Sequence, residues 1–135
     1  MKRTVIALAF VLAAACGRSA DGKPRTIAVG GEQVAIASLV DAEAGMCAAR
    51  ASAVTDPAAA RAAFFDRAHD PIHAVARGLE DVDRPQAAEL LEAKERVESG
   101  LDTRPPTLAD DVAHLAEVYR AGLGRLAISA PPCDK

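Results

Sequence analysis

Aromatic side chains are almost missing from this sequence: there are three Phe, one Tyr and no Trp in 135 residues. That scarcity argues against a sheet-built core, where aromatic and β-branched residues would dominate. It also leaves little to pack against a porphyrin. Uncharged runs are short too. The longest covers residues 4–17, too few to cross a bilayer as a permanent helix. The sequence carries no CxxCH for covalent haem attachment, no catalytic serine motif and no glycine-rich phosphate loop. Positive charge is not in excess either, since the net formal charge is −3, so no basic patch offers itself to nucleic acid.

What the chain does have is small apolar residues, with alanine the commonest. At this length they make one domain with one modest core. Such a core needs helices that approach closely, with a few Leu, Val and Ile between them. The first fifteen residues, MKRTVIALAFVLAAA, place Lys2 and Arg3 before the uncharged run and have the anatomy of a signal peptide. Residues 16–31, CGRSADGKPRTIAVGG, mix Gly, Ser, Pro and charge and read as a flexible tether, within which Thr26 to Val29 could form a short extended piece.

Towards its end the run reads LAAAC, which resembles the lipobox of bacterial lipoproteins, with Ala13 standing where Leu is commonest. The resemblance covers residues 1–16 only. It implies that Cys16 becomes the lipidated first residue of a mature chain held to a bacterial membrane from the extracytoplasmic side. Gly17 after the cysteine implies the outer membrane where a cell has one. The alternative is an ordinary secretory signal cleaved near Cys16. Loss of Lys2 and Arg3 takes the net charge from −3 to −5. With Cys16 set apart, Cys47 and Cys133 remain in an oxidising compartment and are expected to form a disulfide. A loop of that length is worth about 4 to 5 kcal/mol in the chain-entropy account.

Helical periodicity predicts four helices in residues 32–128. Helix one runs from Glu32 to about Val54, with Ile36, Leu39, Val40, Cys47 and Val54 on its apolar face. Asp56-Pro57 opens helix two, whose face is Phe65, Ala68, Ile72, Val75, Leu79 and Val82 and which Pro71 kinks. DRPQ at 83–86 reads as a capping box opening helix three, with Gly100 near its stop. Thr107 and Asp110 are expected to cap helix four, which carries Leu108, Val112, Leu115, Tyr119 and Leu126. Short connections imply an all-α, antiparallel up-down-up-down four-helix bundle. Residues 129–135 form an extended tail that the disulfide straps back across it.

Counting heights from each turn puts Glu43 level with His69, and His73 level with Lys94 and His114. His69 and His73, four apart, could present imidazoles to one point. Glu43 would complete a Zn or Cu site, with Asp66 orienting an imidazole behind them. The competing structural reading neutralises Glu43 with Arg50, Arg61 or Lys94 and leaves both histidines as boundary residues. Met46 and His114 are the pair available to haem, but both leave their helix faces, which disfavours it. Glu89, Glu92, Glu95 and Glu98 read as a solvated face supported by Lys94 and Arg96. With no matched nucleophile and base, the sequence reads as a binding or interaction module, whose ligand is an extracytoplasmic protein partner or a metal, rather than an enzyme.

Overall fold

The computed structural model describes residues 25–133. The expected signal segment, Cys16 and most of the expected tether lie outside the described residues. The first described element is a hairpin, β1 (Thr26–Val29) and β2 (Glu32–Ala35), paired antiparallel with Thr26 opposite Ala35 and Val29 opposite Glu32. Gly30 and Gly31 turn it with φ of 56° and 83°. Two successive left-handed residues match the twist of the strands, and glycine adopts them without a Cβ penalty. The extended piece expected at Thr26 to Val29 therefore has a partner. The tether gives way to structure at Thr26, and helix one starts at Ile36 rather than Glu32.

The helices are α1 (Ile36–Ser52), α2 (Pro57–Arg67), α3 (His69–Leu79), α4 (Arg84–Thr103) and α5 (Leu108–Arg125). The fold is thus mostly helical, with five helices and a small two-stranded sheet. The fifth helix comes from a one-residue break at Ala68 inside the expected helix two. Pro71 has no N–H to give to the Arg67 carbonyl and its ring crowds that carbonyl, so the interruption falls just upstream of the proline. Backbone bonds persist on either side, from Ala68 N to Phe64 O at 2.9 Å and from Ile72 N to Ala68 O at 3.0 Å. The inward row through the break is Phe64, Ala68, Ile72, Val75 and Leu79. Phe64 is in the core, while the expected Phe65 is half-buried beside it.

Two starts are capped as expected. Asp56 accepts from Ala59 N at 3.0 Å and Asp83 from Gln86 N at 3.2 Å, each followed within two residues by a proline that needs no donor. The second is a simple cap and not a reciprocal box, because the Gln86 side chain donates to Val118 O instead. Thr107 precedes α5 without a side-chain cap, its hydroxyl donating to Asp111. Gly100 does not stop α4, which continues to Thr103 and ends on left-handed Arg104 followed by Pro105.

Helix α1 lies between α2 and α5, and α4 packs on α3 and α5. Their contacts are close because small residues line them. A Cβ at Gly45 would sit 2.8 Å from Arg67 Cβ and 3.1 Å from Ala63 O, and one at Gly78 would sit 2.6 Å from Val29 Cγ1. Between these approaches lie Leu39, Met46, Ile72, Leu90, Leu115, Leu123 and Tyr119, all fully buried. Val54 and Val82, expected on inner faces, fall beyond the last turns of α1 and α3 and are 78% and 60% exposed. After α5 the tail buries Ile128 and returns Cys133 to Cys47, with their Cα atoms 5.3 Å apart in a disulfide spanning 86 positions.

Gly45→Val is expected to force α1 off α2 and cost about 2 kcal/mol, within the usual range for overpacking. Gly124→Ala, whose Cβ meets nothing within 4 Å, is expected to be neutral or mildly stabilising. Urea unfolding of the two variants checks the contrast.

Candidate functional site

A groove of about 620 Å³ opens where β2 and the first half of α1 face the junction of α2 and α3. Its walls are charged. Glu32, Asp41, Asp66 and Asp70 face Arg67, Arg77 and His73 across it. Both guanidinium groups are already held. Arg67 donates to Asp41 through Nη2 at 2.5 Å and Nε at 3.0 Å, and Arg77 Nη2 donates to Glu32 at 2.7 Å. The paired guanidinium holds the Asp41 carboxyl below its ordinary range. The two acids left over, Asp66 and Asp70, are exposed on the far wall, and the hydroxyl of Ser38 is committed to Ala35 O at 2.8 Å.

Behind this wall the histidines meet α4. His69 Nε2 lies 3.2 Å from Glu98 Oε1, its Nδ1 lies 2.9 Å from Asp70 Oδ1, and Lys94 donates to Glu98 Oε2 at 2.6 Å. Lys94 is only 5% exposed, so this pairing satisfies a charge that would otherwise be buried alone. The imidazoles of His69 and His73 pack edge to face, 4.9 Å between centroids, instead of converging on a common point. Burial pushes the His73 imidazole below its ordinary value, with Lys94 and His69 adding to the effect. Glu98 is therefore a half-buried partner of Lys94 and His69 rather than part of a solvated acidic face, whereas Glu89, Glu92 and Glu95 are exposed as expected.

Glu43 does not join the histidines. It points towards α5, because Gly45 and Asp41 hold the side of α1 that meets α2. Its carboxylate is 1% exposed, and Oε1 accepts from Arg120 Nη2 at 2.6 Å and Nε at 3.2 Å. The partner is thus none of those expected. Lys94 binds Glu98, Arg61 binds Asp102 at 2.6 Å, and Arg50 is exposed. Beside the pair, Tyr119 donates to the Leu39 carbonyl at 2.9 Å. Burial raises the pKa of both Glu43 and Tyr119, Arg120 opposing the shift for Glu43 and the Glu43 charge adding to it for Tyr119.

Oε2 of Glu43 has no hydrogen-bond partner. One turn along α1, Cys47 and its bonded Cys133 bring their sulfurs and a Glu43 oxygen within 4.8 Å of one another. This is the one such convergence of metal-ligating types among the described residues. As a disulfide the sulfurs offer no thiolate. Asp66 lies on the groove, Met46 is buried in the core and His114 is exposed on α5, so the residues singled out by sequence are distributed over separate surroundings. Arg120, which holds Glu43, carries no signal in the helical periodicity, since it lies 100° about the axis from the inward Tyr119.

Arg120→Met is expected to cost about 3 kcal/mol at neutral pH, because it strands a buried carboxylate. A raised folded-state pKa for Glu43 means that stability is fully present near pH 4.5 and below, and falls as pH rises through the folded value. The variant's penalty is therefore expected to shrink towards pH 4.5, as urea melts at the two pH values would show. No family model matches the chain, and neither a curated protein nor a solved structure matches it.

Proposed function

We propose that this chain is a lipid-anchored, extracytoplasmic helical module that acts by binding, and that the groove beside the α2/α3 break is its binding surface. In this reading α2 and α3 serve as one broken member of an up-down-up-down four-helix bundle. The antiparallel pairing of His69 with Glu98 across α3 and α4, and of Asp41 with Arg67 across α1 and α2, supports that architecture. The anchor rests on LAAAC and Cys16, and the Cys47–Cys133 bridge is in keeping with an oxidising compartment. Among the described residues no helix is long and apolar enough to cross a membrane, so the anchor would be the attachment.

The observation that carries the binding reading is the division of charge in the groove. Arg67 and Arg77 are each matched by one acid, which leaves Asp66, and Asp70 with its contact to the His69 imidazole, facing a ligand without a guanidinium partner. A positively charged group, such as a basic segment of a protein partner, fits that surplus. Burial lowers the pKa of His73 on the same wall, with Lys94 and His69 adding to the effect, which disfavours a charge that would oppose the surplus.

Labelling of the full chain with a fatty-acid analogue in a bacterial host is expected to mark the protein and to be lost in Cys16→Ser; equal labelling of both would remove the anchor. Binding of an Arg- and Lys-rich peptide to the detergent-solubilised chain is expected to weaken with salt and about tenfold in Asp66→Asn/Asp70→Asn, equivalent to ~1.4 kcal/mol. An unchanged affinity in that double variant would remove the groove.

A further inference from the structure

The geometry points to a second state of the Cys47–Cys133 bridge: once reduced, Cys47, Cys133 and Glu43 form a site for a borderline divalent ion of the zinc class. Glu43 and Cys47 are four residues apart on α1 and so share a face one turn apart. Cys133 lies outside any helix, in the segment that follows α5. The donor atoms already lie within 4.8 Å of one another. Zinc–thiolate bonds of about 2.3 Å in a tetrahedral arrangement set the sulfurs about 3.8 Å apart. Release of the bridge lets Cys133 reach that spacing without moving α1.

The buried, unpartnered Oε2 of Glu43 is the independent sign of a ligand. A buried carboxylate oxygen with no donor is costly, and a metal ion is one group that would satisfy it. Arg120 occupies only Oε1, so the second oxygen is free to coordinate. Charge then selects the ion. Two thiolates and one carboxylate carry three negative charges, and a divalent cation together with Arg120 supplies three positive ones. A monovalent ion would leave a net charge in a largely buried place, and hard ions such as magnesium prefer all-oxygen ligands. Three protein ligands leave a fourth position open.

The chemistry balances through a dithiol reductant. It supplies two electrons and two protons, the Sγ–Sγ bond breaks, both cysteines become thiols and the reductant closes to its own disulfide. Both cysteines are half-buried residues rather than sealed in the core, and Pro131 and Pro132 before Cys133 are exposed. Binding of the ion then releases both thiol protons to solvent. This site depends on neither the anchor nor the groove.

The test is zinc content of the full chain before and after reduction with a non-chelating phosphine, with circular dichroism recorded throughout and cobalt as a spectroscopic substitute. One zinc per reduced chain and none per oxidised chain is expected, with sulfur-to-cobalt charge-transfer absorption. Cys133→Ser is expected to abolish uptake, and Glu43→Gln to weaken it at least about tenfold. A reduced chain that stays helical and takes up no zinc overturns the site, as does uptake unchanged in Cys133→Ser or in Glu43→Gln. Should reduction melt the helices, recovery of helicity at one zinc per chain supports the site and failure to recover overturns it.

Discussion

The structure depends on how closely its backbones approach. A chain this poor in aromatic residues cannot fill wide gaps between helices, so the gaps must be narrow. Glycine sits at the narrow points: Gly45 where α1 meets α2, Gly78 where the hairpin meets α3, Gly100 where α4 turns onto α5, and Gly122 where α5 passes Leu79 and Val75. At each a Cβ would press on a neighbour at 3.0 Å or less. Interiors are packed to crystal-like density, and small residues achieve that only by shortening interaxial distances. The return is limited, because alanine buries little apolar area. A bridge from Cys47 to Cys133 is valuable in such a molecule, since it restrains the unfolded chain instead of relying on contacts in the folded one.

Close packing also explains the interior charges. Glu43 and Lys94 are both buried between helices, and each is matched, Glu43 across to α5 by Arg120 and Lys94 within α4 by Glu98 one turn on. Such pairs add little net stability over apolar residues of the same size, but removing either partner is costly. The Glu43–Arg120 pair fixes which side of α1 faces α5. Tyr119 does similar work with a neutral group, tying α5 to the Leu39 carbonyl of α1.

Much of this was legible in the sequence where the signal is local. Asp56-Pro57 and Asp83 announce helix starts, and the cysteine pair is left over once the N-terminal cysteine is set apart. Height along a bundle was legible in part: counting from the turn near residue 83 puts His73 level with Lys94, whose charge acts on that imidazole. Rotation was not. One helix has several inward directions, and nothing in the periodicity of α1 says that Glu43 looks to α5 while Gly45 looks to α2. Phe64 and Phe65 differ by 100° about the axis, and the break at Ala68 decides which one is central. The hairpin was legible in principle, because Gly30-Gly31 between two four-residue extended runs is a two-residue turn, but it was absorbed into the tether by composition. The groove was hidden for a different reason. Asp41, Arg67, Glu32 and Arg77 look like ordinary surface charges until the fold sets them opposite one another.

The bridge between Cys47 and Cys133 also divides the molecule mechanically. Helices α2 to α5 lie inside a covalent ring, together with the last turn and a half of α1, while the hairpin and most of α1 lie outside it. A pull on the chain from its N-terminal side would meet the hairpin first, then Leu39 with its Tyr119 bond, then Glu43 with Arg120, and would stop at Cys47. Everything beyond that point shares the load through a closed loop and cannot be drawn out in sequence. The molecule behaves as a short extensible leader on an inextensible body, with Glu43–Arg120 as the last ion pair described before the two join.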